Sequence, residues 1–470
     1  MELLNISTQN QSDGIRASIT YGKKKQTYSL SYPASVWKSY PLHLKELIRE
    51  NIAYIFTAHL PFLYKKQLEI RYDTPRPLSS LWINNLFFHF LPGYNRMHNF
   101  VDDHKSTSIM KLFFNSHYIF TRSNNTLLPY PEKKSGKKKE TVIIPFSFGK
   151  DSFLTYWVTK KLGFNQILIW YHDPTNGFEG KQKELLFKKF CTKTKNKYYF
   201  VRNEFGLLRA QDEKWFGWES ALLSWAVMAL PIAYKENAHY ILFSNEKSTN
   251  AHMPGEEDIS FIPDYEQSSG ATKELSLLTQ ALTNHSLKTS TLLQGLHDLG
   301  IIAILKEGFY EDTVPYLMSC WDSTAHSRWC QNCTKCARMY VYLRANGIDP
   351  KEAGFTENMF TEKKKKLFNV FGVNATGTGW DAMGLNTHEQ ALAFYLCVKR
   401  GYTDPLVKEF AAQPLFLFVE KNIDALLEEY FSLHTEASTP SRWKQKVDRI
   451  YTSYLEKTKK NIYSLCQKKS

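Results

Sequence analysis

The stretch Thr141-Val142-Ile143-Ile144-Pro145-Phe146-Ser147-Phe148-Gly149-Lys150-Asp151-Ser152 decides the fold. Its first six residues are a short, almost continuous apolar run, the pattern of a parallel strand buried on both faces. A small-residue loop follows, and helical spacing then runs over 151–161. The same alternation continues downstream. Gln166-Ile167-Leu168-Ile169-Trp170-Tyr171 predicts a second strand, and Lys197-Tyr198-Tyr199-Phe200-Val201 a third after a lysine-rich helical stretch. A long apolar helix over 219–234 leads to His239-Tyr240-Ile241-Leu242-Phe243, a fourth strand. Strands alternating with helices imply an α/β domain with a mostly parallel sheet, whose ligands gather at the carboxyl ends of the strands.

The loop between the first strand and its helix sits at such an end. Successive backbone N–H groups in a turn of this kind, with a helix N-terminus behind them, form an anion cradle. Gly149 permits close backbone approach, Ser147 and Ser152 add hydroxyl donors, and Lys150 brings a mobile positive charge. Asp151 can cap the helix or help hold Mg²⁺. An ordinary strand–helix turn with a Ser-Asp cap is the plain alternative.

Four of the seven cysteines are crowded together as Cys320-x9-Cys330-x2-Cys333-x2-Cys336. Two-residue gaps let neighbouring thiolates converge on one ion, and a fourth from a nearby turn completes a tetrahedron. A four-thiolate site with no open position suits structural Zn²⁺, with an iron–sulfur cluster as the alternative. Cys191, Cys397 and Cys466 stand alone and read as packing residues.

Around this core the chain divides into an N-terminal α+β domain over 1–128, a lysine-rich linker over 129–140, the α/β domain over 141–347 with its cysteine segment 320–336, and a helical region over 348–470. Short β-rich stretches occur at 17–21 and 26–30, and amphipathic helical spacing at 45–56 and 106–120. Beyond 348, helical spacing covers 389–399, 411–429 and 444–459. Apolar residues make up 43% and charged residues 23%, which excludes disorder and a coiled-coil rod. The polar start resembles no secretory signal, and the most apolar run, 81–91, is too short to span a bilayer, so a cytoplasmic protein is expected. The net charge of +14 sits largely in the lysine runs at 133–139 and 363–366. Those read as solvated loops or helix ends, and lysine outweighs arginine, so attraction for small anionic substrates explains the charge as well as nucleic acid does.

The loop Ser147-Phe148-Gly149-Lys150-Asp151-Ser152 resembles the PP-loop of the N-type ATP pyrophosphatases. That resemblance implies a Rossmann-like fold in which the loop holds the pyrophosphate of ATP while a substrate oxygen attacks the α-phosphate. The four cysteines add a likeness to the 7-cyano-7-deazaguanine synthases, which combine this loop with a zinc site. Ser244-Asn245-Glu246-Lys247-Ser248, after the fourth strand, looks more like the UDP-N-acetylmuramoyl-L-alanyl-L-glutamate epimerases. These likenesses imply ATP, Mg²⁺ and Zn²⁺ as cofactors and an anionic carboxylate as substrate. Glu246 is then a candidate for holding Mg²⁺ or handling a proton, with Lys150 and Asp151 as its catalytic partners. Ser244, Asn245, Lys247, Ser248, Arg328 and Lys335 are candidates for substrate contacts, and His172 and Asp173 for adenine and ribose. Three outcomes compete: epimerisation of a terminal L-glutamate on a UDP-muramoyl dipeptide, amide formation in the deazaguanine manner (including conjugation to a protein partner in a defence system), and a nucleic-acid-binding protein with an inactive ATP fold. The intact Lys150-Asp151-Ser152 counts against the last.

Overall fold

In a computed structural model, the structure describes residues 1–98, 105–122, 139–175, 177–211, 217–320, 322–372, 386–435 and 438–467. Most of the expected linker 129–140, with the lysines at 133–138, lies outside the described residues.

The N-terminal strands are β1 (Glu2–Asn10), β2 (Gly14–Tyr21), β3 (Lys24–Ser31), β4 (Leu68–Tyr72) and β5 (His117–Phe120). After them come β6 (Thr141–Pro145), β7 (Asn165–His172), β8 (Lys197–Asn203), β9 (Tyr240–Glu246), a short ribbon of β10 (Met253–Pro254) with β11 (Ser260–Phe261), and β12 (Lys288–Leu293). All but the ribbon form one ten-stranded sheet in the order β12-β9-β6-β7-β8-β3-β2-β1-β4-β5. Its pairs are parallel from β12 to β8 and again from β1 to β5. The chain is a mixed α/β protein with a large, mostly parallel sheet.

Side-chain alternation explains the apolar runs of the sequence. On β6, Val142 and Ile144 enter one core and Ile143 the other; on β7, Leu168 and Trp170 oppose Ile167, Ile169 and Tyr171. Strands covered on both faces leave no polar face to show in the sequence. In β1 only Leu4, Ile6 and Thr8 are buried, so the strand is half polar and reads as a hydrophilic N-terminus.

The seam between the N-terminal strands and the central ones is antiparallel. There β3 meets β8, with Leu30 opposite Asn203 and Ser31 opposite Arg202. The expected N-terminal domain therefore shares both a sheet and a core with the α/β part. The helices Leu42–Ile55 and Ala221–Glu236 lie in that same core. The helical region after 348 belongs to the other core, with the helices Lys150–Lys161 and Asp298–Thr313.

Two helical expectations are corrected. The pattern over 106–120 splits into a helix Ser106–Phe114 and strand β5, because after Ser116 the buried positions alternate no longer with helical period. The pattern over 411–429 is broken into two short helices, Pro414–Lys421 and Ile423–Tyr430, after a helix Pro405–Ala411 that ends where it begins. Pro405 and Pro414 each open a helix at its first position, where the missing N–H costs nothing. No helix among the described residues is long and apolar enough to cross a membrane.

Candidate functional site

The loop after β6 turns into its helix at Gly149, the N-cap. The left-handed residue is Phe148, at φ 62°, whereas Gly149 itself has φ −73°. Phe148 is fully buried, its ring 4.7 Å from that of Phe187 and 4.9 Å from that of Phe146. Burial of the ring offsets the backbone strain and fixes the loop's path. Phe148 can thus serve a ligand only through its backbone, and its carbonyl already accepts from Met318 N at 2.9 Å. Ser152 donates its hydroxyl to the Gly149 carbonyl at 3.0 Å, while Ser147 Oγ lies 3.4 Å from Gly149 N. The first N–H groups of the helix have no partner within it and face the strand ends.

Lys150 is the centre of the site. Its Nζ lies 2.5 Å from Asp151 Oδ1 and 2.6 Å from Asp298 Oδ1. Asp298 opens the helix that follows β12, and its second oxygen faces Arg338 at 3.6 Å. Burial works against the Lys150 ammonium, but the carboxylates of Asp151, Asp298 and Glu246 outweigh it and push its pKa up. Asp298 is held below the usual range despite burial, by Lys150 and Arg338. Glu246, at the end of β9, is pushed up to about 8 by burial and by Asp298. Its carboxylate accepts from Ser248 N at 2.7 Å and from the Ser248 hydroxyl. Glu389, from the C-terminal region, is 1% exposed, accepts from Leu299 N at 2.8 Å, and is likewise pushed up by burial and by Asp298. The carboxyl groups of Asp151, Glu246, Asp298 and Glu389 thus surround the cations Lys150 and Arg338. Asp298 Oδ2 is buried without accepting a hydrogen bond.

The other expected contact residues divide. Ser248 and Glu246 stay together at the site. Ser244 lies in β9 rather than in a loop and bonds Thr155 Oγ1 at 3.0 Å; Asn245 is buried and donates to Thr272 Oγ1 at 3.1 Å. Both brace the end of β9. Lys247 is half-buried, with its charge acting on His297 and Glu429. His172 stacks on Trp170 at 4.8 Å, with Nε2 buried and unpartnered, in the wall of a cavity of about 490 Å³ that Tyr32, Phe200 and Arg202 also line. Asp173 is directed elsewhere: it accepts from Asn203 at 2.5 Å and faces Arg209 at 3.3 Å. Arg328 donates to the carbonyls of Pro315 and Ala353, at 2.8 and 3.1 Å, and so ties the cysteine segment down. Lys335 is exposed on the helix Thr334–Ala345.

The four cysteines converge as their spacing implies. The Sγ atoms of Cys320, Cys330, Cys333 and Cys336 lie within 4.8 Å of one another, and the cluster could hold a metal ion such as zinc. Backbone N–H groups of Cys330, Asn332 and Cys336 point at the sulfurs of Cys320, Cys330 and Cys333, each at 3.4 Å, as thiolates require. Gln331, at φ 57° between the first paired cysteines, clamps the knuckle by accepting from Thr356 N and Glu357 N at 2.8 and 2.7 Å. Lys364 donates to the Gln331 carbonyl at 2.7 Å, so one lysine of the 363–366 run is structural. The segment entering Cys320 touches the loop after β6: a Cβ on Gly149 would lie 3.9 Å from that of Ser319, whose buried hydroxyl has no partner. Cysteine cluster and loop therefore share one support.

Asp298, Arg338 and Glu389 escaped the sequence reading. No family model matches the chain, and no curated protein matches it.

Proposed function

We propose that this chain is an ATP-dependent, carboxylate-adenylating enzyme of the PP-loop type, with zinc at its four cysteines. The observation that carries this reading is Lys150, held between Asp151 and Asp298 at the mouth of a helix-capped loop where parallel strands end. In the reaction a substrate carboxylate oxygen attacks the α-phosphorus of ATP. The α–β phosphoanhydride bond breaks, pyrophosphate leaves, and an acyl-adenylate remains. The loop N–H groups and Lys150 stabilise charge on the departing pyrophosphate. Asp151 and Asp298 would hold Mg²⁺, which would supply charge neutralisation at the phosphates.

For the second half-reaction, the reading we carry forward is epimerisation of a terminal L-glutamate on a UDP-muramoyl dipeptide. Adenylation removes the carboxylate charge and acidifies the neighbouring C–H; Glu246, in its ionised form, would take that proton, and return of a proton to the opposite face inverts the centre. Water then cleaves the adenylate to AMP. A second reading, amide formation on a deazapurine carboxylate by ammonia or an amine, is favoured by the aromatic cavity of Trp170, Phe200 and Tyr32, which suits a flat ring.

Incubation with ATP, Mg²⁺ and each substrate, followed by chromatography, tests the first step: AMP and pyrophosphate support it, and ADP with phosphate overturns it. In D₂O, epimerisation yields D-glutamate carrying deuterium. ATP-dependent consumption of 7-carboxy-7-deazaguanine without D-glutamate transfers the reading to the amide branch.

A further inference from the structure

Beside the Lys150 cluster, and separate from the four cysteines, three more ligand-type side chains meet. His297 is the N-cap of the helix that begins at Asp298, and its Nε2 lies 2.9 Å from Glu429 Oε1. Glu429 ends the short helix Ile423–Tyr430 from the C-terminal region. His434 follows in the next turn, its ring 5.4 Å from that of His297 and nearly perpendicular to it. Ligand atoms of all three lie within 4.8 Å of one another.

Each member is prepared for a cation. The His434 backbone N–H donates to the Gly295 carbonyl at 2.9 Å, which fixes its turn against the loop after β12. Its Nε2 lies 2.7 Å from the Glu429 carbonyl; donating there leaves Nδ1 with its lone pair, the usual way in which a ligating imidazole is oriented. His297 is 8% exposed, and its Nδ1 is buried with no hydrogen-bond partner.

We propose that His297, Glu429 and His434 form a second metal site, for a borderline divalent ion such as Zn²⁺, which fastens the C-terminal region to the turn carrying Asp298. Two imidazoles and a carboxylate suit that class of ion and leave a coordination position for water or an anionic group. Lys247, whose charge acts on both His297 and Glu429, adds attraction for such an anion. The site needs no substrate, so it is testable independently of the enzymatic reading.

The test is a Co²⁺ titration of the full-length protein, after mild chelation and with the metal content of the cysteine site confirmed by elemental analysis. The expected result is uptake of one further ion with visible d–d bands and no added thiolate charge-transfer absorption. Glu429→Gln and His434→Ala, both on accessible side chains and checked for native circular dichroism, should each weaken that uptake at least about tenfold. No further uptake by the wild-type chain, or equal uptake by the double variant, overturns the site.

Discussion

Lys150 Nζ lies 2.6 Å from Asp298 Oδ1, so one charge pair joins the loop after β6 to the turn after β12. Both side chains are almost fully buried, at 8% and 2% exposure. Removing one partner of a buried pair strands the other, which typically costs about 3–5 kcal/mol. Asp298→Ala should accordingly destabilise the fold by that order in chemical denaturation. Asp298→Asn, which keeps the side-chain shape, should fold better yet lower pyrophosphate release at least about tenfold, since Lys150 is then paired by Asp151 alone. Wild-type turnover in Asp298→Asn would remove Asp298 from the site.

The pH dependence of stability follows from the buried acids. Glu246 and Glu50 are pushed up to about 8 and Glu219 to about 7, all chiefly by burial, so the folded chain retains protons that the unfolded chain has released. Their contribution is fully present below about pH 4.5 and is lost as pH rises through 7 and 8. His59 and His297, pushed down to about 3 and 4 by burial, act oppositely, but only below about 6.5. Between about pH 6.5 and 8 these acids lower stability as pH rises, with the histidines no longer opposing them. Glu246→Gln should flatten that slope; melting temperatures across the window decide it, and an unchanged slope refutes the assignment.

The loop and the cysteine cluster were legible because each is a contiguous run whose spacing carries its chemistry. Asp298, Arg338 and Glu389 were not. They meet only because β12 pairs with β9 at one edge of the sheet and Glu389 from a C-terminal helix reaches the first turn of the helix after β12, and neither relation has a local signature. The N-terminal sheet was half legible for a similar reason: β2 and β3 alternate visibly, while the seam to β8 depends on two residue pairs distant in sequence. Arg328 shows the reverse error. A cation beside a metal segment resembles a substrate contact until its donors are seen to bind the carbonyls of Pro315 and Ala353.

Metal and clamp should separate in the cysteine segment. Cys333→Ala removes a ligand and should abolish the tightly bound zinc, lowering the melting temperature because a structural metal contributes folding free energy. Gln331→Ala keeps all four thiols but leaves Thr356 N and Glu357 N without their acceptor. It should cost about 1–3 kcal/mol while retaining one zinc per chain. Loss of zinc from the Gln331 variant would show that the clamp is part of the ligand geometry.

Phe148 gives a prediction in which the smaller side chain is the better tolerated. Removing its buried ring should cost about 3–5 kcal/mol with either alanine or glycine, because the cavity among Phe146, Phe153 and Phe187 is the same. The backbone tells the two apart. At φ 62° an L-residue carries a strain of about 1–2 kcal/mol, which glycine does not. Glycine's greater freedom in the unfolded chain offsets part of this, about 0.5–1 kcal/mol. Phe148→Gly should therefore be more stable than Phe148→Ala by up to about 1 kcal/mol in urea denaturation, and should keep more adenylation activity, because the loop retains its path without the ring. If alanine proves equal or better, the left-handed conformation at Phe148 is not what holds the loop.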